Sequence, residues 1–419
     1  MFALIDCNNF YASCERAFNP KLNHQPVVVL SNNDGCVIAR SNEAKDLGIP
    51  MGAAAFEYQS VFKQKNIHVF SANFALYGDM SNRVMSILSE YSPDIEIYSI
   101  DECFLKLKGF DLFDLQQYGL EMKQKVFKWT GIPISVGIAP TKALSKVANR
   151  IAKKYPQQTG GAYIIKNTEQ KNKALKWLKI EDVWGIGYQH AKKLKSIGVQ
   201  TAYDFTQLNN DWVKQNMAIV GLRLKRDLEG IPTLNLEHVQ AKKNIATTRS
   251  FEKPYTEFSD LKERISSFAI ACAEKLRKQK SCCKGLLVFI RTNRFNPNLP
   301  QYNPKISIQL PFPTNSSIEI SKFATFALQQ IYKSNYAYKK AGVIVYDFHP
   351  ENQLQLSLFD NRNTKHINLM KVMDSINQSY GQQKIKIASQ DLKRIWKMKQ
   401  EKLSPKYTTK LEDVIVVKV

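Results

Sequence analysis

Acidic side chains are scarce in this 419-residue chain, with 37 Asp and Glu against 60 Lys and Arg, a formal net charge of +23. That imbalance, with a pI near 9.5, points to a polyanionic partner, nucleic acid foremost. Cysteine is sparse too: seven residues, odd in number and without a CxxC pair, which excludes a disulfide framework and a zinc ribbon and suits a reducing compartment. No apolar run reaches membrane-spanning length, and the first residues carry neither a basic n-region nor a cleavage site. A GxxxxGK[ST] loop is also missing, which argues against a helicase. A cytoplasmic protein, nucleoid-associated when engaged and without a membrane partner, is expected.

What is present centres on Tyr98-Ser-Ile-Asp-Glu-Cys-Phe104. Two apolar runs, residues 95–100 and 103–107, read as a hairpin around Asp101 and Glu102. Neighbouring residues of one strand point to opposite faces, so a tight turn is the economical way for both acids to serve one site. Adjacent carboxylates repel and resist desolvation unless a cation neutralises them. The apolar run Met1–Ile5 ends in Asp6, at the turn into a helix-like stretch, which adds a third oxygen donor. Three carboxylates without a nearby His or Cys fit Mg2+ rather than zinc. Taken alone, Asp6 also fits a helix cap, and Asp101 and Glu102 ordinary turn residues.

Along the chain, strands are expected at 26–30 and 36–39, then a short helix with Asn42, Glu43 and Lys45, an insertion between Asp6 and the acidic hairpin. Residues 77–91 and 112–129 read as helices and 134–138 as a strand, giving a split βαβ sheet of ferredoxin-like topology. From Thr141, Lys142, Lys146, Arg150 and Lys154 recur every four residues opposite Leu144, Val147, Ala148 and Ile151: a basic face on a buried helix, with Lys153 one residue off. Gly185-Ile-Gly187 between apolar helices describes a helix-hairpin-helix, whose amides hold phosphate without reading bases. Residues 245–348 then run strand, helix, strand, strand, helix, strand, a second split βαβ module, with Arg249, Arg291 and Arg294 suggesting one face toward a DNA backbone. In the polar segment that follows, Gln355-Leu-Ser-Leu-Phe359 is an isolated apolar cluster.

Asp6-Cys-Asn-Asn-Phe-Tyr11, Tyr98-Ser-Ile-Asp-Glu102 and Ser135-Val-Gly-Ile-Ala-Pro-Thr-Lys142, continuing to Lys146 and Lys153, resemble the palm motifs of the Y-family translesion DNA polymerases. The resemblance spans essentially the whole chain. It implies an α+β, multidomain right-hand polymerase: a ferredoxin-like palm at 1–20 and 75–165, small fingers at 21–74, a helical helix-hairpin-helix thumb at 166–238, a little finger at 239–350 and a C-terminal tail at 351–419. Asp6, Asp101 and Glu102, with the Cys7 main-chain carbonyl, would hold two Mg2+ ions for nucleotidyl transfer. Tyr11 would be the steric gate against the ribose 2′-hydroxyl. Asn42, Lys45 and Lys153 would hold the incoming dNTP; many relatives carry Tyr and Arg at the first two of these positions. Gly185, Gly187, Arg249 and Arg291 would contact primer-template DNA. Gln355, Leu356, Leu358 and Phe359 would enter the sliding clamp, and the tail would engage a cleaved UmuD dimer and the RecA filament. The activity implied is error-prone synthesis across lesions in the SOS response, with no exonuclease domain apparent. The contrasting readings are a catalytically silent DNA-binding scaffold that recruits the clamp, and a two-metal nuclease.

Overall fold

The computed structural model describes residues 1–237, 240–354, 363–381, 384–390 and 398–415. The chain divides into two compact units, Met1–His238 with Gln400–Val419, and Val239–Lys399.

In the first unit the apolar run after Met1 becomes β1 (Phe2–Cys7), buried on both faces. An insertion follows. Its strands β2 (Val27–Leu30), β3 (Val37–Arg40) and β4 (His68–Ser71) form a sheet ordered β3-β2-β4, with a separate small core that includes Val28, Val37 and Phe62. The sequence does not announce the parallel edge strand β4: His68 is exposed, Val69 and Phe70 are half-buried and Ser71 is buried, so no alternation shows.

The chain then returns to the main sheet with β5 (Ile95–Ile97), β6 (Glu102–Lys106), β7 (Ile134–Ala139) and β8 (Ala162–Ile164). Its order, β5-β6-β1-β7-β8, keeps the expected ferredoxin-like arrangement through β7 and appends β8 parallel to it. Three residues are too few to show a period, so β8 is visible only through its pairing. The helices Phe74–Ser89 and Leu115–Thr130 have ends one to three residues from the expected spans, and Met80, Val84, Ile87 and Leu88 are buried as the 3.6-residue period requires.

The helix Lys142–Lys154 packs against β7 and β1. It comes so close that a Cβ on Gly137 of β7 would sit 2.1 Å from the Asn149 amide nitrogen and 2.4 Å from the Ser145 carbonyl oxygen. Only glycine fits there. The Asn149 side chain bridges the sheet, donating to the carbonyls of Leu4 (3.2 Å) and Ser135 (2.7 Å).

The helical segment that follows shares its core with this helix: Leu175, Ile180, Phe205 and Leu228 cluster with Leu144 and Val147. Buried Asp227 locks the junction, accepting from the amides of Ala143 (3.0 Å), Thr233 (2.8 Å) and Leu234 (3.2 Å). The expected pair of helices around the Gly185-Ile-Gly187 turn is half right. The element before the turn is a single 3-10 turn, Ile180–Asp182, and only Tyr188–Ser196 after it is a helix.

The second unit is a four-stranded antiparallel sheet of β9 (Asn244–Tyr255), β10 (Ser281–Thr292), β11 (Lys305–Thr314) and β12 (Tyr338–Pro350), ordered β11-β10-β12-β9. Helices Phe258–Lys278 and Ser317–Ile331 each cross over one intervening strand, the expected split βαβ pattern. Residues 351–419, read above as one tail, are divided. Helix Lys365–Ser379 belongs to this unit, where Asp374 takes a two-pronged bond from Arg277 (2.6 and 2.7 Å), whereas residues 400–415 belong to the first unit.

Candidate active site

Antiparallel pairing sets Asp6 on β1 directly opposite Glu102 on β6. The hairpin turn therefore places the two neighbouring acids differently. Glu102 opens the strand, while Asp101 stays in the turn, where the Ser99 hydroxyl donates to its carboxylate (2.6 Å) and accepts from the amides of Asp101 (3.3 Å) and Glu102 (3.1 Å). The Cys7 amide donates to the Asp101 carbonyl (2.8 Å), which ties the turn to the end of β1. The Cys7 side chain itself is internal, with its thiol pushed up by burial.

Two lysines of the helix Lys142–Lys154 close on these acids, Lys153 on Asp6 and Lys146 on Glu102 at 2.8 Å. Burial pushes the Asp6 carboxyl up to about 7, outweighing the Lys153 ammonium that pulls it down. Among the described residues no three His, Cys, Asp or Glu side chains gather at one point. The cations on Asp6 and Glu102 are ammonium groups here, and they stand where a positive charge is required. The donors remain all-oxygen and fit a hard divalent ion.

The basic face expected on this helix resolves into separate pairs. Arg150 meets Asp182 (2.7 Å), and Lys154 lies over the Trp177 ring (5.6 Å). Lys142 departs from the expected phosphate-holding face: it is only 3% exposed, bound to Glu96 (2.8 Å) and unavailable to a phosphate. An extended β5 carries Glu96 inward, a partner that helical periodicity on Lys142 cannot reveal. Lys146 also lies over the rings of Tyr98 (4.6 Å), Phe104 (5.6 Å) and Trp184 (5.5 Å). A cavity of about 260 Å³ opens beside these groups, lined by Asp6, Glu102, Lys146, Arg150, Lys153 and Trp184 among others.

Lys45 reaches the same end of β1 from the insertion. Its ammonium donates to Asn9 Oδ1 (2.5 Å) and Asn42 Oδ1 (3.3 Å), and Asn9 Nδ2 donates to Asn42 Oδ1 (3.0 Å). Burial lowers the Lys45 pKa, and the charges on Arg40 and Lys153 lower it further, so cations converge at this point. Tyr11 lies half-buried on helix Phe10–Phe18, stacked on Tyr77 with ring centroids 4.5 Å apart, and the Asp101 charge helps raise its pKa after burial. Glu15, one turn on from Tyr11, and Tyr77 also belong to this cluster, though no motif marks either. For Glu15 the signal is its i, i+4 spacing from Tyr11 on one helix face; Tyr77 has none, because it meets Tyr11 and Glu15 from another helix.

The other expected contacts lie elsewhere. Gly185 has φ +85°, the left-handed conformation the turn requires, and Gly187 precedes helix Tyr188–Ser196 with no side-chain cap on its amides. In the second unit, register sets Arg249 opposite Ala341 and Arg291 opposite Lys340. Ala341 belongs to the helix-side core, so the two arginines lie on opposite faces of the sheet, which corrects the expectation of one shared face. Gln355, Leu356, Leu358 and Phe359 lie outside the described residues. No helix among the described residues is long and apolar enough to cross a membrane.

The sequence matches the family model described as impB/mucB/samB over residues 5–150, and the C-terminal domain of that family over residues 242–358. The chain belongs to the impB/mucB/samB family. Within it, the protein UmuC of Salmonella typhimurium is 41% identical over 422 residues, covering all of both chains, and the ImpB protein of that organism is 41% identical over 99% of each. Further from the family core, DNA polymerase IV of Bacillus velezensis is 25% identical over 91% of each chain. Residues 368–417 match a domain of unknown function. Among solved structures, a Y-family DNA polymerase chimera superposes with a TM-score of 0.68 at 20% identity over 83% of this chain and 99% of that one. An insertion ternary complex of Dbh DNA polymerase gives 0.55 over the same shares. The chain has the fold of these Y-family polymerase structures.

Proposed function

We propose that the chain is an error-prone translesion DNA polymerase that adds dNTPs to a primer opposite damaged template positions. The observation that carries this reading is the cross-strand pair Asp6 and Glu102, with Asp101 one residue away and lysines from a single helix on both paired acids. A scaffold has no use for acids held against each other in a partly buried cleft. Family membership and relatives named DNA polymerase IV support the same class.

Asp6, Asp101, Glu102 and the Cys7 carbonyl are the groups that would hold Mg2+. When bound, the metal lowers the pKa of the primer hydroxyl and offsets charge on the transferring phosphate. The chain's own residues then divide the work. Lys153 and Lys45, released from Asp6 and Asn9, hold phosphate oxygens of the dNTP, with Asn42 orienting Lys45. Tyr11 presents its ring beneath the sugar and excludes a 2′-hydroxyl. In the two units respectively, the uncapped amides after Gly187 and the basic side chain of Arg291 hold DNA phosphates. Arg249, at the edge of the opposite face, contacts a different part of the backbone. Residues 1–20 with 75–165, 21–74, 166–238 and 239–350 act as palm, fingers, thumb and little finger.

The partners proposed beyond DNA are the sliding clamp, through Gln355, Leu356, Leu358 and Phe359, and the cleaved UmuD dimer and RecA filament, through the C-terminal region. The test is primer extension on undamaged and abasic templates with Mg2+, with and without these partners, beside Asp101→Asn. Extension that disappears in the variant supports the polymerase. Equal extension in both, or none in the complete mixture while DNA binding persists, sinks it in favour of another centre or a scaffold.

A further inference from the structure

Residues 400–407 bond to the elements that support the Tyr11 ring, Gln400 Nε2 donating to the Ala72 carbonyl (3.0 Å). Ser71 and Lys402 exchange hydrogen bonds, the Ser71 amide donating to the Lys402 carbonyl (2.9 Å) and the Lys402 amide to the Ser71 hydroxyl (3.0 Å). Asn73 Nδ2 then donates to Ser404 Oγ (3.0 Å) and to the carbonyls of Ser404 and Pro405 (both 3.1 Å). Asn73 Oδ1 meanwhile caps helix Phe74–Ser89 through the Leu76 amide (3.3 Å). Tyr407 stacks on Phe18 at the far end of the Tyr11 helix, centroids 4.8 Å apart and planes 8° off parallel.

These contacts meet at Glu15, which is 2% exposed. Its Oε1 accepts both from the Tyr77 hydroxyl (2.6 Å) and from the Ser404 hydroxyl (3.0 Å). Tyr77 is fully buried, and its ring is the one on which Tyr11 stacks, 15° from parallel; Phe74, at the start of the same helix, meets the Tyr11 ring edge-on at 6.0 Å. One chain of contacts thus runs Ser404, Glu15, Tyr77, Tyr11. A buried carboxylate oxygen with two donors is well held; with one removed, the remaining donor and its ring can shift.

We propose that residues 400–407 are a strap that sets the position of the Tyr11 ring, with Ser404 and Glu15 as positioning residues for sugar discrimination. This rests on the proposed gate role of Tyr11. The strap comes from the far end of the sequence, so the setting of the gate depends on a segment outside every motif that builds the reaction centre. Phe74 and Tyr77 form the wall, Glu15 fixes the wall's hydroxyl, and Ser404 fixes Glu15.

The experiment compares the full chain with Ser404→Ala, Tyr77→Phe and Tyr11→Ala, under the partner conditions that support extension, measuring kcat/KM for a dNTP and its matching rNTP. Amide hydrogen exchange at residues 8–18 and 71–80 is followed in parallel, without DNA or nucleotide. Ser404→Ala and Tyr77→Phe are expected to lower dNTP preference about tenfold, the scale of one hydrogen bond to a charged group, with dNTP kcat held within about twofold, and to accelerate exchange in both segments. Unchanged preference in Ser404→Ala and Tyr77→Phe, or equal losses on dNTP and rNTP, overturns the strap while Tyr11→Ala still loses preference. If Tyr11→Ala also keeps full preference, the gate reading itself falls. Exchange unaltered by Ser404→Ala overturns the strap whether or not the chain extends a primer.

Discussion

Lys142 and Glu96 form an ion pair sealed inside the first unit, 3% and 7% exposed, with the ammonium 2.8 Å from one carboxylate oxygen and 4.5 Å above the Phe104 ring. The same carboxylate takes the Glu237 amide (2.7 Å), so the pair also fastens the segment that leaves the helical region. It lies four residues before the lysine that meets Glu102, so it anchors the helix on which the reaction centre depends.

Removing one member of such a pair leaves a buried charge without a partner. Lys142→Met is expected to destabilise the first unit by about 3–5 kcal/mol, whereas Lys142→Met combined with Glu96→Leu recovers most of that loss. Urea unfolding followed by tryptophan fluorescence reads the difference. Equal losses in the single and double variants would count against the pair as the cause.

Gly137 is a close-approach glycine whose φ is unremarkable. A Cβ there meets backbone atoms of Ser145 and Asn149, which cannot rotate away. Gly137→Ala should therefore push helix Lys142–Lys154 off the sheet, at a cost of roughly 1–3 kcal/mol. Because Lys146 and Lys153 ride on that helix, primer extension should fall more than the stability loss accounts for. A thermal melt and an extension assay on one preparation decide it.

Lys153 now occupies Asp6 and is proposed to transfer to the triphosphate. Lys153→Ala should raise the KM for dNTP about tenfold, with a smaller change in kcat, the pattern of a lost binding contact. A fall in kcat alone, at unchanged KM, would assign Lys153 to the chemistry at Asp6 instead.

Glu15 supplies a pH test away from the metal-binding acids. Burial raises its carboxyl above the ordinary value of 4.5, outweighing the donors Tyr77 and Ser404. A raised folded-state pKa means that its contribution to stability is complete below 4.5 and is lost as pH climbs through the folded value. Glu15→Gln, which imitates the neutral acid, should therefore match the parent near pH 4 and gain on it as pH rises to 8. Melting temperatures of the two proteins across that range give the answer; a gap that narrows with pH contradicts the sign.

Much of this was readable from local chemistry. A buried run ending in Asp6, two apolar strands around Asp101 and Glu102, and a four-residue basic repeat each follow from side-chain period and turn composition, so the ferredoxin-like sheet and its acids could be anticipated. Strands β4 and β8 could not, since each pairs in parallel with a strand distant in sequence, β4 with β2 and β8 with β7, and no local turn announces that pairing. The faces of Arg249 and Arg291 were misjudged for a related reason: strand pairing register decides them, and a one-residue offset reverses a side chain.

Covalent neighbours and helical or strand periods determine which residues can be acidic, basic or buried within one element, and on that ground the acids, the tyrosine and the lysines were all candidates. Which cation meets which acid was decided by the fold alone. Lys142 and Lys146 are one helical turn apart and chemically alike, yet one is sealed against Glu96 and the other stands at Glu102. The same holds for Ser404 and Glu15, 389 residues apart in sequence. No local rule links them, because the free energy that joins them comes from excluding water around both, and only the folded chain does that.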